Sequence, residues 1–252
     1  MSNILQGPVL AGKAALVTGG SRGIGAAIAE RLAKDGADVA LTYATSAAGA
    51  EKVAGTIRSL GRKALIVKAD SGNAGEIADV VRKAHAEFGK LDILVNSAGM
   101  ALHTPFADIS VEEYDRLMNV NVRAVFLAAQ AASKVLSDHG RIISIGSNLA
   151  DRAAFPGLTL YTMSKTALTG LTKGLARDLG SRGITVNLVQ PGSTNTDMNP
   201  EDGAMADAQR NFMAIPRFGT PQDVAGLVSY LAGPEARSIT GASLTMDGGF
   251  NA

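Results

Sequence analysis

Short apolar runs alternate with longer stretches in which apolar positions recur at helical spacing, almost from one end of the chain to the other. AALVT at 14–18, DVALT at 38–42, ALIVK at 64–68, DILVN at 92–96, RIISI at 141–145 and ITVNLV at 184–189 read as strands. Stretches 24–34, 47–60, 74–88, 111–136 and 160–180 read as helices, and SLTM in the terminal SLTMDGGFNA reads as a last strand. The strands lack strict apolar–polar alternation, which predicts a sheet buried on both faces. Strand–helix alternation predicts an α/β fold with a doubly wound parallel sheet, a single domain over 1–252. Right-handed crossovers then place helices on both faces, and ligands bind beyond the carboxyl ends of the strands. Only 193–219 breaks the pattern, a segment rich in Asn, Asp, Gly, Pro and Met. It reads either as a lid over a site or as an irregular surface excursion.

Composition narrows the function classes. The 252 residues are 46% hydrophobic, enough for a large core, and the net charge is +1, which draws the chain neither to nucleic acid nor to an anionic membrane. Aromatics are 4% with no Trp, a poor basis for a base-stacking platform. The absence of cysteine excludes disulfides, thiolate metal sites and a Cys nucleophile, and fits a reducing compartment. No apolar run approaches the ~20 residues of a membrane span. MSNILQGPVLAGK at 1–13 lacks the regions of a secretion leader, so a cytoplasmic protein is expected. His85, His103 and His139 have no partners at metal-ligand spacing, so no metal is expected. His103 follows the fourth strand, within reach of a substrate, although a loop histidine without function is the plainer reading.

Between the first strand and first helix lies Thr18-Gly19-Gly20-Ser21-Arg22-Gly23-Ile24-Gly25. Glycines there permit a tight turn, and the free N–H groups of the helix start face an anion. Gly19, Gly23 and Gly25 give G-x-x-x-G-x-G rather than the commoner G-x-G-x-x-G. This spacing resembles the short-chain dehydrogenase/reductase family, and the resemblance continues in order along the whole chain. Asn96-Ser97-Ala98-Gly99 follows the fourth strand, Asn121 stands in NVNVRAVF, and Ser147 follows RIISIG. Tyr161-Thr162-Met163-Ser164-Lys165 matches Tyr-x-x-x-Lys, and Pro191-Gly192 follows the sixth strand with Thr194 and Thr196 nearby. The resemblance implies a Rossmann-type fold, a nicotinamide cofactor, and a homotetramer in which helices 111–136 and 160–180 meet a second copy.

The cofactor expected is NADP(H). NAD-selective sheets carry an acidic residue at the end of the second strand, where this chain has Thr42. Arg22 offers a guanidinium that either pairs with a 2′-phosphate or is a solvated loop charge. The resemblance implies that Arg22 and the hydroxyls of Thr42, Thr45 or Ser46 hold that phosphate, beside Tyr43. It implies that Asp70 contacts adenine, with Ser71 standing where relatives commonly carry an apolar side chain. The remaining cofactor contacts implied are Gly19, Ser21, Gly23, Ile24, Gly25, Asn96, Ala98, Gly99, Tyr161, Lys165, Pro191, Gly192, Thr194 and Thr196.

Carbonyl reduction also needs a proton donor and stabilisation of the developing alkoxide. Tyr161 offers a hydroxyl, and Lys165, four residues on, shares its helix face. A positive charge there is expected to lower the phenol from its ordinary value of about 10. The resemblance implies that Lys165 also holds the nicotinamide ribose, that Ser147 bonds the substrate oxygen, and that Asn121 positions a relay water. Ser147 and Tyr161 are 14 positions apart, one wider than the common spacing, and the intervening loop is expected to border the substrate.

Met198, Met205, Phe212, Met213, Ile215 and Phe218 in 193–219, with Leu149, Phe155 and Leu158 opposite, predict an apolar, adaptable pocket for a ketone or its alcohol. Two enzymatic readings fit: a reductase of small ketones, cyclic ones included, and a 3-oxoacyl-carrier-protein reductase, which GLARDLGSRGITVNLVQPG also resembles. The second calls for a basic docking patch, for which Lys134, Arg177 and Arg182 are candidates, offset by Asp138 and Asp178. A third reading is a nucleotide-binding sensor on the same fold, which would commonly lack one of Asn121, Ser147, Tyr161 and Lys165.

Overall fold

In the computed structural model, which describes residues 7–252, seven strands form one sheet. Residues 1–6, on which part of the leader reading rests, lie outside the described residues. Strand β1 (Ala14–Thr18) pairs with β2 (Asp38–Tyr43) on one side and β4 (Leu91–Asn96) on the other. Beyond β2 lies β3 (Ala64–Lys68), and beyond β4 lie β5 (Leu136–Ile145), β6 (Thr185–Pro191) and β7 (Ser243–Met246), every pairing parallel. The order is therefore β3-β2-β1-β4-β5-β6-β7, and the winding reverses between β1 and β4. A crevice opens at that reversal, outside the carboxyl ends of both strands.

Burial on both faces explains the continuous apolar strands. Ala15 and Val17 of β1 enter one core with α1 (Gly23–Lys34), α2 (Ala47–Ser59) and α8 (Pro221–Ala232) through Ile28, Leu32, Ile57 and Val228. Leu16, between them, points to the opposite core with Val80 and Ala84 of α3 (Ala74–Phe88) and Ala128 and Ala132 of α5 (Ala124–Ser133). Leu168 of α6 (Thr159–Leu179) packs on Leu188 of β6 on that second face.

The expected helix over 111–136 is broken. It comprises α4 (Val111–Met118), a π-helical turn (Asn119–Arg123) and α5, which ends at Ser133 so that Leu136 can pair with Leu91. The strand expected at 141–145 thus starts five residues earlier, with a register irregularity and His139 at φ 62°. Helix α8 is not among the expected elements, although its start carries a capping signature: Thr220 and Asp223 bond reciprocally around Pro221. The 193–219 segment contains a short helix, α7 (Ala206–Arg210), and is closed at its base by a bridge between Thr194 and Gly219.

Asp92 anchors the end of the sheet remote from the crevice. Its carboxylate accepts from Ala14 N at 3.0 Å and Lys13 Nζ at 3.1 Å, and lies 3.2 Å from Lys90 Nζ. Burial pushes the carboxyl up, but the Ala14 amide and the two ammonium groups outweigh it and hold the group below the ordinary carboxylate value. A folded-state value below the unfolded one stabilises the fold above the unfolded value, and that contribution disappears as pH falls through the folded one. Asp92→Asn is therefore expected to lose about 1–3 kcal/mol at neutral pH. In urea unfolding, the difference from wild type should shrink as pH drops below about 4; a constant difference down to acid pH would contradict the assignment.

Candidate active site

The loop between β1 and α1 is shaped from behind. Gly19 has φ +68°, and a Cβ there would lie 2.8 Å from Ala98 Cα, so the loop runs directly against the turn after β4. Thr18 Oγ1 accepts from Ser97 N at 3.1 Å and Ala98 N at 3.2 Å, tying the two turns together. Arg22 occupies the N-cap of α1 without a side-chain cap, leaving the first-turn amides free for an anion. Gly25 lies too close to the Gly19 carbonyl for any larger residue.

The residues expected at the adenosine end divide into two groups. Thr42 is 2% exposed and its hydroxyl accepts from Gly19 N at 2.9 Å, so it shapes the glycine loop from inside the fold. Thr45 and Arg22 are exposed, and Ser46 precedes α2 without capping it. A Cβ at Gly49 would meet both Ser21 O and Ser46 Oγ at 2.6 Å, so the start of α2 abuts the glycine loop. Tyr43 ends β2, where its carbonyl accepts from Ala69 N at 2.9 Å. Asp70 Oδ1 accepts from Gly72 N at 2.8 Å, closing the turn that holds Ser71. Asn96 is buried and donates to Ser144 Oγ at 3.3 Å, which makes it a pin between β4 and β5 rather than a surface contact.

At the other end, Tyr161 and Lys165 stand one turn apart on α6, with Lys165 Nζ 5.7 Å from the Tyr161 ring centroid. Lys165 is 6% exposed and donates to Ile145 O, at the end of β5, at 3.1 Å. Burial lowers its pKa to about 8. Burial pushes the Tyr161 hydroxyl up, while the neighbouring Ser147 hydroxyl acts in the opposite sense. Burial thus acts on the phenol against the lowering expected from the Lys165 charge.

Asn121 sits in the π-helical turn. Its side chain donates to Met100 O and accepts from Met100 N, both at 2.9 Å, and donates to Ser164 Oγ at 3.1 Å. It thereby fixes the chain beyond Gly99, at which a Cβ would lie 3.4 Å from Lys165 Nζ and 3.5 Å from Asn121 Oδ1. Thr18, Met100 and Ser164 support the site without having been singled out from sequence.

A cleft of about 340 Å³ opens in front of Ser147 and Tyr161. Ile24, Pro191, Gly192, Thr194 and Thr196 line it, and Leu149, Phe155, Leu158, Met198 and Met205 give it apolar walls. His103 also lines it, against Gly157, so its loop does reach the pocket. Ser193, Asn199 and Gln209 form a polar knot within the 193–219 segment, through Ser193 Oγ to Gln209 Oε1 at 2.6 Å and a reciprocal Asn199–Gln209 amide pair. Phe212, Met213, Ile215 and Phe218 do not line the cleft; Met213 and Phe218 are buried behind it. Among the described residues, no cluster of His, Cys, Asp and Glu is gathered to hold a metal ion, and no helix is long and apolar enough to cross a membrane.

This arrangement presents an amide-lined anion cradle, a crevice at the winding reversal, and a hydroxyl pair backed by a buried amine. Comparison with known proteins agrees with it. A family model described as enoyl-(acyl carrier protein) reductase matches residues 19–251. A short-chain dehydrogenase from Burkholderia cenocepacia, solved in complex with NADP, is 56% identical, with a TM-score of 0.96 over 97% of this chain and 100% of that one. A blue fluorescent protein from a metagenomic library, solved with NADPH, is 50% identical over the same shares, also with a TM-score of 0.96. The cyclic-di-GMP-binding biofilm dispersal mediator protein of Escherichia coli is 45% identical over 96% of this chain and 98% of its own. Motif order, sheet topology and full-length similarity together establish that the chain belongs to the short-chain dehydrogenase/reductase family.

Proposed function

We propose that this protein reduces a ketone to a secondary alcohol with NADPH, Tyr161 acting as the general acid. The observation that carries this reading is the pair of hydroxyls, Ser147 and Tyr161, opening on one apolar cleft with the buried Lys165 beside the phenol. A nicotinamide held along the β1–α1 loop would supply the hydride. Ser147 would orient the carbonyl oxygen, and Tyr161 would donate its proton as charge develops there. Burial keeps the phenol protonated until that moment, and the Lys165 ammonium then stabilises the phenolate left behind. Asn121, by fixing Met100, keeps the turn after β4 against Lys165.

The choice of NADP(H) rests on Arg22, the uncapped Ser46 hydroxyl, and the absence of a carboxylate at Thr42. It is supported by the NADP and NADPH carried by similar structures. Arg22 also lies 3.7 Å from Asp197, but both side chains are exposed, so the pair is weak and leaves Arg22 free to turn to a phosphate. The 193–219 segment acts as the substrate lid in this reading. Phe106, Val111, Tyr114, Phe126 and Met163 are exposed apolar side chains in and around α4, α5 and α6, which suits a homotetramer.

Two other readings have specific support. The family model names an acyl-carrier-protein substrate. Against it, Arg182 is already committed to Asp138 Oδ1 at 2.9 Å and Ser133 O at 2.6 Å. The name of the E. coli relative favours a nucleotide-binding regulator. Against it, all four catalytic side chains are retained.

Tyr161→Phe is expected to bind NADPH with unchanged fluorescence titration and to lose about 10²–10⁴ in kcat for a ketone. Full activity in that variant would remove Tyr161 as the acid, and nucleotide binding without turnover in wild type would favour the regulator. Arg22→Ala should weaken NADPH binding about tenfold or more while leaving NADH binding nearly constant. Equal loss for both cofactors would show that Arg22 does not read the 2′-phosphate.

A further inference from the structure

After β7, Asp247-Gly248-Gly249-Phe250-Asn251 turns back into the substrate cleft, and Phe250 lines that cleft together with Ser147, Tyr161 and Phe155. The turn is built for this path. Gly248 and Gly249 take φ +63° and +78°, and a Cβ at Gly249 would lie 2.7 Å from Ala214 Cβ. The Asp247 carboxylate accepts from Gly249 N and Asn251 N, each at 3.0 Å.

The turned segment is fastened to the loops that carry the chemistry. Asn251 Nδ2 donates to Asn148 O at 2.7 Å, one residue from Ser147. Arg152 Nη1 donates to Phe250 O at 3.0 Å. Ile215 N donates to Gly248 O at 2.8 Å, joining the 193–219 segment. Phe250 is consequently only 2% exposed. Its ring stands 5.2 Å from that of Phe212 and 6.5 Å from that of Phe155, and Phe155 meets Phe212 edge-on at 5.4 Å. The Arg152 guanidinium covers Phe212 at 5.2 Å. Three rings from three separate segments thus form one aromatic wall.

We infer that Phe250 is a specificity-determining residue: it sets the depth of the substrate cleft and selects compact ketones, cyclic ones such as cyclohexanone included, over bulkier ring systems. The inference rests on the proposed ketone reduction. A wall pinned at both backbone and ring cannot withdraw to admit a larger group, so its size acts directly on the transition state of the bulkier substrate. Phe250 is held at its own carbonyl by Arg152 and through its neighbour Asn251 by Asn148.

The test compares kcat/KM with NADPH for cyclohexanone and for a bicyclic ketone such as decalone in wild type, Phe250→Leu and Phe250→Ala. NADPH affinity and thermal melting are followed in parallel. The ratio of decalone to cyclohexanone should rise with each reduction in size, roughly tenfold or more for Phe250→Ala. Phe250→Leu keeps an apolar side chain in the wall and reports the trend even if the alanine variant folds poorly. A ratio unchanged in Phe250→Leu, with wild type active on cyclohexanone, would overturn the role of Phe250 alone. No ketone turnover in wild type would overturn the reductase reading and this inference with it.

Discussion

A lysine ammonium sits inside this fold, and the rest of the site is arranged around it. Lys165 gives its hydrogen bond to a backbone carbonyl, Ile145 O, rather than to a carboxylate, so burial acts on it almost unopposed and its pKa falls to about 8. Such a group is costly to keep charged, and any anion formed beside it is correspondingly stabilised. The nearest group able to become an anion during reaction is the Tyr161 hydroxyl on the preceding turn of α6. Each of the two is unfavourable as an isolated buried charge, and each favours ionisation of the other.

The sheet makes this placement possible. Parallel strands end together, so the turns after β1, β4, β5 and β6 all open on one side. Their positions are then fixed by hydrogen bonds between turns: Thr18 to Ser97 and Ala98, Thr42 to Gly19, and Asn121 to Met100. The segment after β7 adds a further tie, from Asn251 to Asn148 beside Ser147. The polar groups of the cleft are thus held by backbone contacts, while its apolar walls come from the loops that carry Leu149, Phe155, Leu158, Met198 and Met205.

What the sequence disclosed was local. The strands, the glycine turn and the Tyr161–Lys165 spacing each depend on residues within a few positions of one another, and apart from the early start of β5 at Leu136 they lie where the pattern places them. What it withheld depends on side-chain direction or on distant contacts. Thr42 occupies the expected position at the end of β2 but faces inward, because the Gly19 amide needs an acceptor. The helix expected over 111–136 is continuous in apolar pattern, yet it contains a π-helical turn that carries Asn121 and stops early so that Leu136 can pair with Leu91. Phe212, expected at the pocket, instead backs it, while Phe250, distant in sequence from both Ser147 and Tyr161, lines it. Nothing in the hydrophobic period marks such a residue; Asp247-Gly248-Gly249 was the one signal that the chain turns there.

The most direct test of the account is the pH dependence of kcat/KM for ketone reduction. If a protonated Lys165 stabilises the phenolate that Tyr161 becomes, the rate should be level at neutral pH and fall as pH rises through about 8, where the ammonium loses its proton. The sign follows from the charge: deprotonation removes the stabilising cation while the phenol, raised by burial, still holds its proton. A profile that stays level to about pH 10, the ordinary phenol value, would contradict the role given to Lys165.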